Sequence, residues 1–262
     1  MRSGTPSIRA TERSLAMLEA VLTNDGRSSI AALARTMDVP VSTAHRQVAT
    51  PVSQGYLAQT QDRRHIAGPR LLRLLPLIDE KQIIANVAAP FLHRLARALG
   101  TVVQLGTLEN EMVTYRIKTG VGAGDLFTRV DMQLEAYCSA IGKVLLADLP
   151  EAELASYVAT GPFPALTRHT ITQPADLRRE LAIVRERGFA LDAGEIVEGL
   201  SCIAVPIRRA GGAAVAALSA SFFTSLSRRE IAEALPALEA AAAGISLALD
   251  GPMAPAAVHR EP

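Results

Sequence analysis

Cys202, His169 and Asp192 supply the residue types of a nucleophilic thiol, a general base and an orienting carboxylate, the one covalent chemistry this sequence suggests. Cys202, however, stands in a strand-like run, SCIAVPI, the setting of an inert small hydrophobe rather than an activated thiolate. Its one fellow, Cys138, is not spaced from it as C-x-x-C, so neither a zinc site nor a redox dithiol is encoded. Gly120, Gly122 and Gly124 lack the third glycine of a dinucleotide fingerprint and read as a mobile loop near a pocket mouth. With no clustered histidines, paired acids or phosphate loop, no metal or cofactor is expected. What remains is recognition of anions.

Two sets of residues fit that task. Behind Pro40 come Val41, Ser42, Thr43, His45, Arg46 and Gln47, short hydroxyls followed by long donors, able to approach a phosphate or a base edge. Further on, Ser139, Ala140 and Ile141 open a helix whose free amides and positive dipole make a seat for a carboxylate. The first set needs helices around it, and the spacing provides them. Leu15, Met17, Leu18, Val21 and Leu22 predict a helix over 12–22, stopped by Asn24, Asp25 and Gly26. Ser28 or Ser29 caps a second over 30–37, and Pro40, whose missing amide proton costs nothing in a first turn, starts a third. Strand-like 56–59 and 65–67 flank a polar turn with Arg63 and Arg64 near its tip. Helix, turn, helix, hairpin is the order of a winged reading head.

Charge agrees with this placement. Residues 1–78 hold ten arginines against five acids, and the remainder holds 17 basic and 21 acidic residues, so a near-neutral chain conceals a basic head on an acidic body. At 262 residues, 49% hydrophobic and 20% charged, the chain accommodates about two domains and is not disordered. The first residues, MRSGTPS, lack the apolar core of a secretory signal, and no uncharged apolar run nears a membrane span, so the expected compartment is the cytoplasm.

Pro69 opens a short apolar-rich helix over 69–78, and a second over 81–99 is interrupted at Pro90. Leu71, Leu72, Leu74, Leu75 and Leu77 are too many for one helix face and predict contact with a second copy of the chain. Two-fold pairing sets two reading helices about 34 Å apart, so the duplex should carry a palindrome. The body is α and β mixed. A hairpin pairs 101–108 with 112–118, Ser139 caps a helix to 149, and an amphipathic helix spans 174–188. Strands 202–207 and 214–221 pair across Ala210, Gly211 and Gly212, and Ser227 caps a last helix to about 249.

Several segments resemble successive signatures of the IclR family of bacterial transcription regulators. They are 12–18 (ERSLAML), 30–35 (IAALAR), 39–46 (VPVSTAHR), 55–57 (GYL) and 68–72 (GPRLL) in the head, and 140–147 (AIGKVLLA), 185–192 (RERGFALD), 199–207 (GLSCIAVPI) and 216–219 (AALS) in the body. The resemblance runs over roughly 11–250. It implies an α+β chain: a winged helix-turn-helix over 1–68, a linker helix over 69–80, a GAF-like α/β effector-binding domain over 81–250 and a flexible tail over 251–262, assembled as dimers or tetramers. DNA contacts are expected from Ser29, Pro40, Ser42, Thr43, His45, Arg46, Arg63 and Arg64. Asp192, Cys202, Ser219 and Ser221 match positions that line or close the effector cavity in similar proteins, beside Ser139, Ala140 and Ile141. The implied partners are an operator duplex, a small organic acid and the chain itself, with no membrane.

The family pattern is broken at Pro51, where an aliphatic residue is common and where a kink or early stop of the third helix is expected. His65 replaces an aromatic that often precedes the Gly-Pro-Arg segment. The competing reading is a small-molecule enzyme centred on Cys202, with a basic head that contacts protein.

Overall fold

The apolar spacing at the amino end closes into helices α1 (Arg9–Thr23), α2 (Ile30–Thr36) and α3 (Val41–Ser53) around Met17, Val21, Leu33, Ala34, Ala44 and Val48. The computed structural model describes residues 8–210 and 212–251. Of the tail expected over 251–262, all but Gly251 lies outside them, and so does Gly211. Ser29 is the cap of α2, its hydroxyl accepting the Ala32 amide at 3.2 Å, and Pro40 is the residue before α3 rather than within it. Strands β1 (Leu57–Gln59) and β2 (His65–Ala67) pair antiparallel, with buried Leu57 closing the small core.

Helix α3 runs through Pro51 to Ser53 without the expected early stop. The proline sits in the last turn, where it removes one hydrogen bond, and its ring is buried. Helices α4 (Pro69–Leu74) and α5 (Glu80–Leu99) follow, separated by a single 3-10 turn over Leu75–Leu77. The expected interruption at Pro90 is also absent. Burial of Ile84, Ala88, Leu92 and Leu95 outweighs the roughly 3 kcal/mol that an interior proline costs.

The chain divides into two units between Asp79 and Glu80. The second is built on six antiparallel strands: β3 (Val102–Glu109), β4 (Met112–Thr119), β5 (Gln133–Glu135), β6 (Ala190–Ala193), β7 (Ser201–Arg208) and β8 (Ala214–Phe222), in the order β5-β4-β3-β8-β7-β6. On one face lie α5 and α9 (Arg228–Asp250), over Val103, Leu105, Ile203, Val205, Leu218 and Ala220. On the other lie α6 (Ala140–Ala147), α7 (Glu151–Val158) and α8 (Pro174–Arg187). Helix α9 is long and apolar enough to cross a membrane, yet Ala234, Leu238, Ala242 and Ile245 make a buried stripe against the sheet. A capping box of Ser227 and Glu230 starts it.

Period-two alternation decides what each face offers. Along β8, Ala216, Leu218 and Ala220 turn towards α5 and α9, which leaves Ala217, Ser219 and Ser221 for the opposite face. The same rule places Gln104 of β3 and Cys202 of β7 on that face. A line of small polar side chains therefore runs across the sheet opposite the start of α6.

Candidate functional sites: a nucleic-acid surface and an effector cavity

The candidate reading surface is the solvent side of α3. Ser42, His45, Arg46 and Ala49 recur at three-and-four spacing and are exposed, whereas Ala44 and Val48 are buried in the core. Thr43 is half-buried and Pro40 exposed at the amino end. Gln47, grouped with the outward donors from sequence, instead points inward, and its buried Oε1 has no hydrogen-bond partner among the described residues. A groove bounded by the start of α2, α3 and the β1–β2 hairpin brings together Ser29, His45, Arg63 and Arg64; Pro40, Ser42, Thr43 and Arg46 continue beyond it.

The hairpin tip is a tight turn in which Thr60 N donates to Arg64 O at 2.9 Å and Arg63 N to Thr60 O at 3.0 Å. Arg63 takes a left-handed φ of 61° at the turn. The Arg64 guanidinium pairs with Asp62 at 2.9 Å in full solvent, a contact that a phosphate can displace cheaply. His65 lies beside His45, and burial together with that like charge holds its imidazole below the usual value.

The cavity in the second unit lies between α6 and the polar line of the sheet. Ser139, Ala140, Ile141, Asp192, Cys202 and Ser219 all line it, joined by Gln104, Tyr115 and, from the loop between β4 and β5, Leu126, Phe127 and Thr128. Ser221 stands one step back: it pairs with Cys202 in register, accepts the Cys202 thiol at 3.3 Å and donates to Gln104 Oε1 at 3.5 Å. Gln104 Nε2 then donates to Thr128 Oγ1 at 2.8 Å, and Lys118 Nζ donates to the carbonyls of Leu126 and Thr128 at 2.6 and 2.5 Å. These bonds fasten the loop over the cavity, which has a free volume of about 20 Å³, room for about one water.

Helix α6 presents its amino end to the cavity. Ser139 Oγ accepts the Gly142 amide at 3.0 Å and Ser139 O the Lys143 amide at 2.8 Å, while the amides of Ala140 and Ile141 have no acceptor among the described residues. The segment before the helix packs against its first turn because Gly142 has no side chain: a Cβ there would stand 2.1 Å from the Ala136 carbonyl oxygen. Behind the cavity, Asp192 Oδ1 accepts the Glu195 amide at 2.6 Å. Glu195 in turn pairs with buried Lys143 at 2.5 Å, and Glu180 stands 3.6 Å from the same ammonium.

Comparison with known proteins follows this division. Residues 10–61 match the IclR helix-turn-helix domain, and residues 78–247 match the C-terminal domain of the bacterial transcriptional regulator IclR. The chain belongs to the IclR family. It is 30% identical to the HTH-type transcriptional regulator XynR of Escherichia coli K12 over 94% of this chain and 99% of that one. Among solved structures it is similar to the repressor BlcR of Agobacterium tumefaciens, with a TM-score of 0.66 at 29% identity over 93% and 97% of the two chains. An IclR homologue of Microbacterium hydrocarbonoxydans, complexed with 4-hydroxybenzoate, gives a TM-score of 0.59 at 29% identity over 89% and 97%. This is a DNA-binding transcription regulator with the helix-turn-helix and effector-domain architecture of IclR proteins.

In this IclR-family chain the Cys202 thiol lines the cavity. Burial pushes it up to about 12, and the adjacent Asp192 charge adds to the shift. His169 lies in the segment before α8, where its backbone amide bonds to Thr167 and its ring takes a hydrogen bond from Arg168; none of its hydrogen bonds reaches Cys202 or Asp192. The cavity groups that sequence reasoning missed are Gln104, Tyr115 and Thr128, and behind them Lys143 and Glu195. A glutamine within the apolar strand VVQLGTL was the available signal.

Burial also pushes the Asp192 carboxyl up to about 7 from an ordinary 3.8, the Glu195 charge adding to it and Lys143 opposing it. A carboxyl whose folded value is raised holds a proton in the native state that the unfolded chain has released. Its contribution therefore favours folding in acid and is lost as pH rises from about 4 towards 7. Compared with wild type, Asp192→Asn should lose less stability across that window, because the amide keeps the acceptor for Glu195 and does not ionise. Chemical denaturation at pH 5 and pH 7 measures the difference, and parallel profiles for the two proteins would refute it.

Proposed function

We propose that the chain is a ligand-responsive regulator in which the solvent face of α3 enters the major groove of a palindromic operator and the hairpin bearing Arg63 and Arg64 contacts backbone alongside. The division expected from sequence serves this reading: 1–68 grips DNA, 69–80 links, and 81–250 senses. The observation that carries it is the exposed row of Ser42, His45 and Arg46 on a helix whose other side is packed, within a chain segment with five surplus positive charges. Leu72, Leu75, Leu77 and Ile78 stand exposed along and just after α4, which supports self-association there and two reading heads per assembly. Such a protein acts where the chromosome is, in the cytoplasm.

The sensed molecule is a small organic acid. Its carboxylate takes the free amides of Ala140 and Ile141 at the start of α6, with Ser139, Ser219 and Cys202 around it. The Microbacterium homologue complexed with 4-hydroxybenzoate supports an acid in this class of domain. Because the cavity holds about one water, entry requires the loop fastened by Lys118 and Gln104 to lift. That movement gives the ligand a preference for one conformation, without which no binding event could shift the DNA-binding state. Catalysis is not part of this reading, since burial holds the thiol at the cavity in its protonated form and His169 makes no hydrogen bond to it among the described residues.

Mobility shift at graded salt, comparing DNA from upstream of the protein's own gene with a shuffled duplex of the same length, tests the first half. The expected result is a preference for the natural duplex and an affinity falling steeply as salt rises from 50 to 200 mM. Equal affinity for the two duplexes at every salt concentration would remove the operator from the account.

A further inference from the structure

His65 is half-buried at the start of β2 and is not among the DNA contacts expected from sequence. Register and packing decide where it stands. It pairs with Gln59 across the hairpin, and its carbonyl oxygen lies against Gly26, where a Cβ would stand 2.5 Å away. A glycine with a φ of 67° at that turn lets the hairpin close on the segment after α1. The imidazole then shares a groove with His45 of α3, close enough for a charge on His45 to oppose one on His65. The other charged groups lining the groove are Arg27 from the segment before α2 and Asp62, Arg63 and Arg64 from the hairpin tip. Asp62 is already engaged by the Thr60 hydroxyl and the Arg64 guanidinium. Helix α1 also packs on β2, but its Arg9, Glu12, Arg13 and Glu19 are exposed and line no part of the groove. Two imidazoles and three guanidinium groups thus share about 960 Å³ with one carboxylate that is already paired, and that space admits a phosphodiester.

We propose that His65 is a further DNA contact: in its protonated form it closes with His45 on one phosphate of the duplex, so that the head grips DNA more tightly as pH falls. This rests on the reading that this face of the head meets DNA. Two imidazolium charges side by side repel each other, whereas a phosphate between them favours both. Without DNA, burial first and the His45 charge second hold the His65 imidazole below its ordinary 6.5. A phosphate oxygen beside it raises that value, so binding takes up a proton. The added affinity is fully present in acid and is lost as pH rises through the value in the complex. Because the contact is to the backbone, it strengthens the grip without reading sequence.

The test is fluorescence anisotropy of the full-length protein, with no added acid ligand, on the duplex from upstream of its own gene at pH 6 and pH 8. Wild-type affinity should be about tenfold higher at pH 6, since each proton taken up changes affinity by as much as about tenfold per pH unit. The fall of log affinity with log salt should also be steeper at pH 6, by about 0.9 for each phosphate neutralised. His65→Phe keeps a flat ring that takes no proton, and it should bring the two affinities within about threefold. His65→Arg is charged throughout and should bind at pH 8 about as tightly as wild type does at pH 6. A wild-type affinity level between the two pH values, a pH dependence that survives in His65→Phe, or an arginine variant no tighter than wild type at pH 8 would overturn the role of His65 while leaving the reading head standing. A natural duplex bound no better than a shuffled one at either pH would overturn the reading head itself, and this contact with it.

Discussion

Lys143→Met is expected to destabilise the domain over 80–251 by about 3–5 kcal/mol at neutral pH, the range seen when one partner of a buried ion pair is removed. Lys143 is 1% exposed within an otherwise apolar helix, and its ammonium stands 2.5 Å from Glu195 Oε1. Glu195 is itself buried, and its Oε2 has no partner among the described residues even with the lysine present. Burial raises the Glu195 carboxyl and Lys143 pulls it back, so losing the ammonium removes the opposing influence. The methionine protein should therefore recover part of its deficit as pH falls and Glu195 takes up a proton. Adding Glu195→Gln should recover part of it at neutral pH. The chain has no tryptophan, so unfolding is followed by far-ultraviolet circular dichroism in urea. A single variant within about 1 kcal/mol of wild type at pH 7 would show that the pair is not what holds α6 in place.

Arg46→Ala has the other large effect, this time on binding and not on folding. Arg46 lies on the exposed side of α3, and its side chain makes no ion pair among the described residues. Its truncation should leave the melting temperature within a degree or two and ligand affinity unchanged, since nothing in the core of Met17, Leu33, Ala44 and Val48 depends on it. Operator affinity should fall about 10- to 100-fold, the loss of one base-reading or backbone-gripping arginine, or about 1–3 kcal/mol. In a two-fold assembly each operator loses two such contacts, so the upper end is expected. Fluorescence anisotropy on a labelled operator measures it. An affinity equal to wild type would mean that another face of the head meets DNA.

The head was legible because its signals are local. Three-and-four spacing, the Ser29 cap, Pro40 and the turn between Gln59 and His65 each fix structure within a few residues, and these elements form where the pattern places them. The prolines misled for the opposite reason: at Pro51 and Pro90 burial against distant residues decides, and a single missing donor loses. Helix α7 and strands β5 and β6 carried too little periodicity to be recognised, being eight, three and four residues long. At the cavity, Ser139, Ala140 and Ile141 were expected from a capping pattern, and Asp192, Cys202 and Ser219, with Ser221 one step behind them, from family resemblance. Gln104, Tyr115 and Thr128 escaped because only the sheet order brings β3 between β4 and β8, and only a register shift aims Tyr115 at the cavity.

Coupling between the two functions is the central claim, and one measurement addresses it. The operator is first recovered by selecting duplexes from a random pool with the full-length protein. Its affinity is then measured by anisotropy without ligand and with the tightest-binding small organic acid at saturation, for wild type and for Ser139→Ala, which loses the hydroxyl that orders the start of α6. Wild-type affinity should change about tenfold on adding the acid, a coupling of about 1.4 kcal/mol, and the acid concentration needed should rise in the variant. Identical operator affinity with and without a saturating acid would contradict the account, whatever else the cavity binds.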